Sequence, residues 1–129
     1  MEIPETFYFT DEHEWADDEG DGVVTVGISH HAQDALGDIV FVELPADGEE
    51  FDQGDSFGVV ESVKTVSDVY APVSGTVVGI NEELEQAPEL VNESPYEHGW
   101  IIQIRMSDPD ELKELMDASD YEAYLQGQG

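Results

Sequence analysis

The sequence predicts a mainly β domain, two small sheets packed into a flattened barrel or sandwich, and three observations carry that prediction. Short β-branched and aromatic runs recur along the chain, among them Val23 to Ile28, Asp38 to Leu44, Phe57 to Val60 and Trp100 to Met106. Glycines and prolines punctuate them, at Gly20, Gly22, Pro45, Gly48, Gly54, Pro72 and Gly75. The run Gly37-Asp38-Ile39-Val40 is echoed by Gly75-Thr76-Val77-Val78, each opening a half of similar length that is too small to bury its own face. A chain of 129 residues fits one domain and buries roughly two-thirds of its unfolded surface.

In order, Phe7-Tyr8-Phe9-Thr10 reads as a first strand, followed by Glu12 to Ala16 and an acidic turn from Asp17 to Gly22. Asp17, Glu19, Asp21 and Gly22 match the opening spacing of a calcium loop, but the bidentate position falls on Ile28 and the flanks are strands, so no metal site is predicted. Ser29 is a helix N-cap for His30 to Leu36, stopped by Gly37 in the left-handed conformation. Neither His30-His31 nor His13-Glu14 has the i, i+4 spacing of a helical metal pair, so surface or partner-facing histidines are expected. Asn81 to Leu84 reads as a short capped helical turn and Pro88 to Pro95 as loop. Asp108-Pro109-Asp110-Glu111 combines an N-cap, a proline at the first helical position and a capping-box acid ahead of Leu112, Leu115 and Met116, which predicts a C-terminal helix. Ser119-Asp120-Tyr121-Glu122 repeats the box for a last helix fraying at Gly127-Gln128-Gly129.

Composition excludes several functions. With 32 acidic residues against three cations, a formal charge of -29, the chain lacks the basic footprint that nucleic acid or an anionic membrane requires. The absence of cysteine removes disulfides, thiolate nucleophiles and cysteine-based zinc sites, so any sulfur redox chemistry must come from an attached cofactor. No glycine-rich phosphate loop or catalytic constellation is present, and an acid/base pair drawn from Glu14 or Asp68 with a histidine has no pocket motif to support it. Met1 to Glu5 has neither a basic region nor an apolar run, and a cytoplasmic protein is expected.

Against this background Lys64, one of two lysines, stands out. It lies between Phe57-Gly58-Val59-Val60 and Val66 to Tyr70, two strands that leave room only for a tight reversal, so its amine is presented at a hairpin tip. A lone lysine there ordinarily blunts a sheet edge. In a chain that has replaced nearly every other cation, its retention points to chemistry.

Glu61 to Gly75, Glu-Ser-Val-Lys-Thr-Val-Ser-Asp-Val-Tyr-Ala-Pro-Val-Ser-Gly, resembles the lipoyl-lysine hairpin of the glycine cleavage system H-protein family. The likeness continues through Phe9 to Trp15, Val26-Gly27-Ile28, Ala32 to Pro45 and Val91 to Tyr96, nearly the whole chain. It implies a barrel-sandwich hybrid with short helices, a lipoyl-binding core over about 23–105 and a C-terminal helical segment over about 108–125 within one domain, 1–129. It also implies a non-catalytic carrier with lipoate amide-linked to Lys64, set in the context of Glu61, Ser62, Val63 and Thr65. Implied partners are a lipoate-attaching enzyme, the pyridoxal-phosphate glycine decarboxylase or P-protein, the aminomethyl-transferring T-protein and the flavin-dependent L-protein that reoxidises the arm. The family shelters the loaded aminomethyl group in a cleft where carboxylates face its ammonium; the matching positions are Glu14 and Asp68, and the family's usual histidine aligns with Ala35.

Other carriers fit less well. A biotin carrier usually has methionines flanking its lysine, where Val63 and Thr65 stand, and the lipoyl domains of acyl-dehydrogenase complexes are shorter. An H-like protein that relays lipoyl groups to other complexes and an unmodified acidic binding module are the remaining alternatives. The charge itself carries a prediction: self-repulsion destabilises the compact state, and near 1 M salt the screening length falls to about 3 Å. The melting temperature should therefore rise steeply from low to molar salt in scanning calorimetry, as suits a high-salt cytoplasm, and a flat response contradicts that reading.

Overall fold

Period-two alternation of apolar residues produces two antiparallel sheets in the computed structural model, which describes residues 3–127. The larger contains β1 (Tyr8–Phe9), β2 (Glu14–Gly20), β3 (Val23–Ile28), β9 (Ile102–Met106), β8 (Gly75–Ile80) and β5 (Glu50–Phe51), in that spatial order. The smaller has β6 (Ser56–Ser62) between β4 (Ile39–Glu43) and β7 (Val66–Tyr70). Neither sheet closes on itself, and the two pack as the predicted barrel-sandwich hybrid. The echoed runs at Gly37 and Gly75 thus open β4 and β8, one in each sheet.

The main core lies between the sheets. Val24, Val26 and Ile28 of β3, Val77 of β8 and Ile102 and Ile104 of β9 share it with Ile39, Val42, Val60 and Val69 of the smaller sheet. A second core forms on the opposite face of β2, where Trp15 and Phe9 meet Tyr121 of α3 (Ala118–Gly127). Phe9 and Tyr121 stack in parallel with centroids 4.3 Å apart, and β1 is tied to the C-terminal segment by Phe9 N–H donating to Met116 O at 2.8 Å, with the reciprocal bond at 2.9 Å. Strands β1 and β2, although they precede the core range predicted from resemblance, belong to the larger sheet.

Several local expectations are corrected. The acidic stretch after Ala16 is strand, not turn: β2 runs to Gly20 with a bulge at Asp18/Gly20, and the reversal is confined to Asp21-Gly22. Thr25 Oγ1 donates to Glu19 at 2.7 Å, a cross-strand bond that offsets the poor strand propensity of the acids. The helix α1 (His30–Leu36) starts as predicted, with Ser29 Oγ accepting from Ala32 N–H, but Gly37 is extended at positive φ (+85°, ψ -159°) rather than left-handed helical.

Asn81 caps nothing. Its Nδ2 donates instead to His98 O and Trp100 O, fixing the return into β9, while Glu82–Glu85 form one 3-10 turn. The expected loop from Pro88 contains α2 (Leu90–Glu93), and Asn92 Nδ2 donates from it to Gln33 and to Gly37 O. The predicted C-terminal helix after Asp108 is a 3-10 segment, Pro109–Glu114: Asp108 caps it, but Glu111 accepts from Ser74 N–H and Oγ–H rather than closing a capping box. The last helix begins two residues earlier than its box suggests, because Asp117 accepts from Asp120 N–H and Ser119 lies inside. Fraying at Gln128 and Gly129 lies outside the described residues.

Trp15 joins the two ends of this arrangement. Its Nε1–H is shared between Ile28 O and Pro95 O, both at 3.0 Å, and its ring lies flat over Gly27, its cross-strand partner. A Cβ on Gly27 would stand 2.7 Å from that ring. Gly27→Ala should therefore cost about 1–3 kcal/mol in denaturant unfolding, the usual range for overpacking a core; an unchanged midpoint shows that the ring is free to move.

Candidate functional site

The lysine hairpin is built by Ser62. Ser62 N–H donates to Thr65 O at 2.8 Å to close the reversal, and the buried Ser62 Oγ accepts from Thr65 N–H at 3.1 Å and Lys64 N–H at 3.3 Å. The serine hydroxyl substitutes for the missing Asn-Gly chemistry by satisfying the turn's own amides. Val63 N–H donates to Asp38 O at 3.0 Å, pinning the tip to the segment after α1. Glu61, Val63, Lys64 and Thr65 are all exposed. The lysine stem crosses Gly37, where an added Cβ would approach Lys64 Cε to 3.3 Å. Among the described residues the only ion pair is Lys113 with Asp110, so the Lys64 ammonium has no carboxylate clamped to it.

At the far end of β7 lies a groove of about 510 Å³. It is walled by Thr10 and Glu12 of the β1–β2 turn, by Gln53 and Gly54, by Tyr70 to Pro72, and by Glu114 to Met116 with Tyr124. Tyr70 is four residue steps from Val66 at the hairpin, about 13 Å of extended strand. One strand therefore connects the lysine tip to the groove.

Glu14 is the buried acid of this groove, 2% exposed. It shares a strand face with Ala16, so the pleat of β2 points its carboxyl into the space between the sheets. Oε1 accepts from Thr10 Oγ–H at 2.5 Å, and Oε2 accepts from Tyr70 N–H at 3.2 Å across the gap to the smaller sheet. Burial pushes its pKa up to about 7, assisted by the charges of Glu12 and Asp11 and opposed by those two hydrogen bonds. Near neutral pH it is poised between acid and carboxylate.

Asp68, the other acid named from resemblance, is placed differently. It is exposed on β7 two residues before Tyr70, accepts from Ser56 Oγ–H at 3.1 Å, and is absent from the groove lining. Ala35, where the family histidine aligns, lies on α1. The histidines that do meet are His13 and His31, whose ring centroids are 4.5 Å apart. His13 Nδ1 lies 2.8 Å from Tyr121 Oη, which is also 2.8 Å from Ser29 Oγ. Burial, then the charge of His31, lowers the His13 pKa, against a smaller rise from Asp11; burial pushes Tyr121 up to about 12. This network joins the β1–β2 turn, the N-cap of α1 and α3 beside Glu14. Sequence spacing missed it because its members lie far apart in the chain, and only the positive φ of His13 (+71°), an unusual backbone for a non-glycine residue, marks the site locally. No group of three metal-ligating side chains gathers among the described residues.

The model of the glycine cleavage H-protein family matches residues 7–128. The chain belongs to that family. It is 59% identical over 124 residues to a glycine cleavage system H protein of Vibrio cholerae serotype O1, covering 96% of this chain and 98% of the relative. Against the Chromohalobacter salexigens H protein the identity is 55% over 123 residues, covering 95% and 94%. The crystal structure of an H protein from Mycobacterium marinum superposes with a TM-score of 0.89 at 40% identity, over 96% of this chain and 99% of that one. H-proteins are non-catalytic lipoyl carriers of the glycine cleavage system, working with its P-, T- and L-proteins and holding lipoate on a lysine.

The state of Glu14 is measurable through stability. In the unfolded chain it ionises near pH 4.5, whereas the folded chain holds the proton to about pH 7. The native state thus binds the extra proton within that window, and stability falls as pH rises through it. The wild-type protein should lose about 3 kcal/mol relative to Glu14→Gln between pH 4 and pH 8 in parallel denaturant titrations. Equal pH profiles contradict the buried-acid assignment.

Proposed function

We infer that Lys64 is the lipoyl-bearing residue of this chain and that Glu14 receives the ammonium of the aminomethyl cargo in the groove at the other end of β7. The observation that supports this most directly is the pairing of an exposed, ion-pair-free lysine at a hairpin tip with a buried acid of β2 that accepts from Tyr70 N–H at the far end of β7, the strand leading from that tip. Lys64 fits the cofactor: amide formation removes its charge without orphaning a buried partner, since none is bound to it. Lipoate supplies the dithiolane sulfur chemistry that this cysteine-free chain lacks. The hairpin presents the arm, and Tyr70, Leu115 and Met116 give the groove an apolar wall for its distal end.

Glu14 then acts through its proton. A cation brought beside it favours the carboxylate, so the acid that is half-protonated near neutral pH when alone ionises fully when the ammonium arrives, and pairs with it. Asp68, exposed on the same strand, lies on the route between tip and groove and steers the cation by charge. Residues 23–105 carry the arm and the C-terminal segment from about 108 completes the groove. No helix among the described residues is long and apolar enough to cross a membrane; a cytoplasm of high salt is the setting that the acidic surface suits.

Peptide mass spectrometry of native material should find a lipoyl adduct on Lys64. Lys64→Arg should leave the unfolding midpoint unchanged, since an exposed substitution of this kind stays within about 0.5 kcal/mol, while abolishing glycine decarboxylation reconstituted with the P-protein. Full activity of that variant indicates an unmodified binding module instead.

A further inference from the structure

The turn that delivers Glu14 into β2 contains a backbone anomaly. β1 and β2 are joined by Asp11, Glu12 and His13, a hairpin loop closed by Thr10 N–H donating to Glu14 O at 2.9 Å and His13 N–H donating to Thr10 O at 3.1 Å. The last residue of the loop has φ +71°, a bulge position that glycine fills without strain. Histidine stands there instead. A side chain kept against backbone strain does something that glycine cannot. Three contacts hold it in place. His13 O accepts from Ser29 N–H at 2.9 Å, His13 Nδ1 lies 2.8 Å from Tyr121 Oη, and that hydroxyl lies 2.8 Å from Ser29 Oγ, so the turn, the α1 cap and α3 close a ring of hydrogen bonds. The directions around the ring follow from satisfying each hydroxyl. Ser29 is fully buried; its Oγ accepts from Ala32 N–H, and Tyr121 Oη is the acceptor placed to take its hydrogen. Tyr121 in turn donates to Nδ1 of a neutral His13, the form that burial and His31 both favour.

We propose that His13 and Tyr121 are positioning residues for Glu14: α3, through the Tyr121 hydroxyl, fixes the turn whose next residue is the buried acid. The inference rests on the reading of Glu14 given above. Among the described residues no cation pairs with Glu14, so hydrogen bonds alone locate it. Its Oε1 accepts from Thr10 Oγ–H, and its N–H donates to the same hydroxyl oxygen at 3.1 Å, which ties the acid to the residue that opens the loop. Rotation of His13 toward an ordinary negative φ would swing Thr10 away from Glu14 and let water reach the carboxyl. Neither His13 nor Tyr121 lines the groove, so both act through Glu14 and neither touches the cargo. The C-terminal helix thereby has a role beyond covering the second core. Its Tyr121 ring, stacked on Phe9 of β1 at 4.3 Å, holds the hydroxyl against the turn, while Tyr124 of the same helix joins the groove wall.

The test uses the full lipoylated chain. Tyr121→Phe keeps the stack on Phe9 and removes only the hydroxyl, whereas His13→Gly suits the backbone and removes only the imidazole. Thermal melts establish that both fold, and the glycine variant keeps the test open if loss of the Ser29 partner unfolds the other. In each, carboxyl carbon NMR should find the Glu14 pKa lowered from about 7 by about one unit or more, as water reaches the group. A role in packing alone leaves that titration where it is. After loading with glycine and P-protein and removal of the P-protein, ammonia release from the arm without T-protein should be about two- to tenfold faster than in the wild type, the effect of one lost hydrogen bond. The double variant should be no worse than either single one, because both break the same contact. Folded variants in which Glu14 titrates as in the wild type overturn the proposal, as do fully additive effects in the double variant. A Glu14→Gln chain that sheds ammonia at the wild-type rate overturns the receiving role of Glu14 instead, and the carboxyl titration then decides the positioning role by itself.

Discussion

Two hydrophobic cores share strand β2, and the pleat of that strand keeps them apart. Glu14 and Ala16 point between the sheets, whereas Trp15 points to the second core under α3. A slip of one residue in the pairing of β2 with β3 would exchange these faces, placing an indole where the carboxyl belongs. The register is held at several points at once: Trp15 against Gly27, where no Cβ fits, its Nε1–H on Ile28 O and Pro95 O, and Thr25 bonded to Glu19. The position of the buried acid Glu14 is thus a consequence of where the tryptophan packs.

The same constraint explains how a carrier holds an acid near neutrality without a metal or a cationic partner. Glu14 is buried at the seam between the sheets, accepting one hydrogen bond from its own turn and one from Tyr70 of the opposite sheet. Desolvation outweighs those bonds, so the proton stays until about pH 7. Two hydrogen bonds orient the carboxyl, and the missing counter-charge leaves it receptive to a cation. The lysine at the other end of β7 has the opposite character: exposed, without an ion pair, and held above a turn that Ser62 closes.

Acidity and apolar exposure have different distributions on this surface. Carboxylates crowd one another along β2, where Asp17 is pushed up to about 6 by partial burial and then by Glu19 and Asp18, while cations are nearly absent. Against that field the exposed side chains of Val40, Phe41, Val63 and Val66 near the hairpin are a local exception, with the acid Glu61 standing between Phe41 and Val66.

By itself the sequence determined the local features whose signals lie within a few residues: the strands, the α1 cap at Ser29, the lysine reversal and the resemblance that spans nearly the whole chain. Turn and cap chemistry misled where a side chain found a distant partner. Asn81 bonds His98 and Trp100, Glu111 bonds Ser74, and a 3-10 segment stands where a full helix was predicted. Glu14 was named from resemblance, but its burial, its bond to Tyr70 and the wall of Leu115, Met116 and Tyr124 around it were not legible, nor was the meeting of His13, Ser29 and Tyr121. These depend on contacts across most of the chain's length, and only the packing of the two sheets with α3 decides which side chains lose water together.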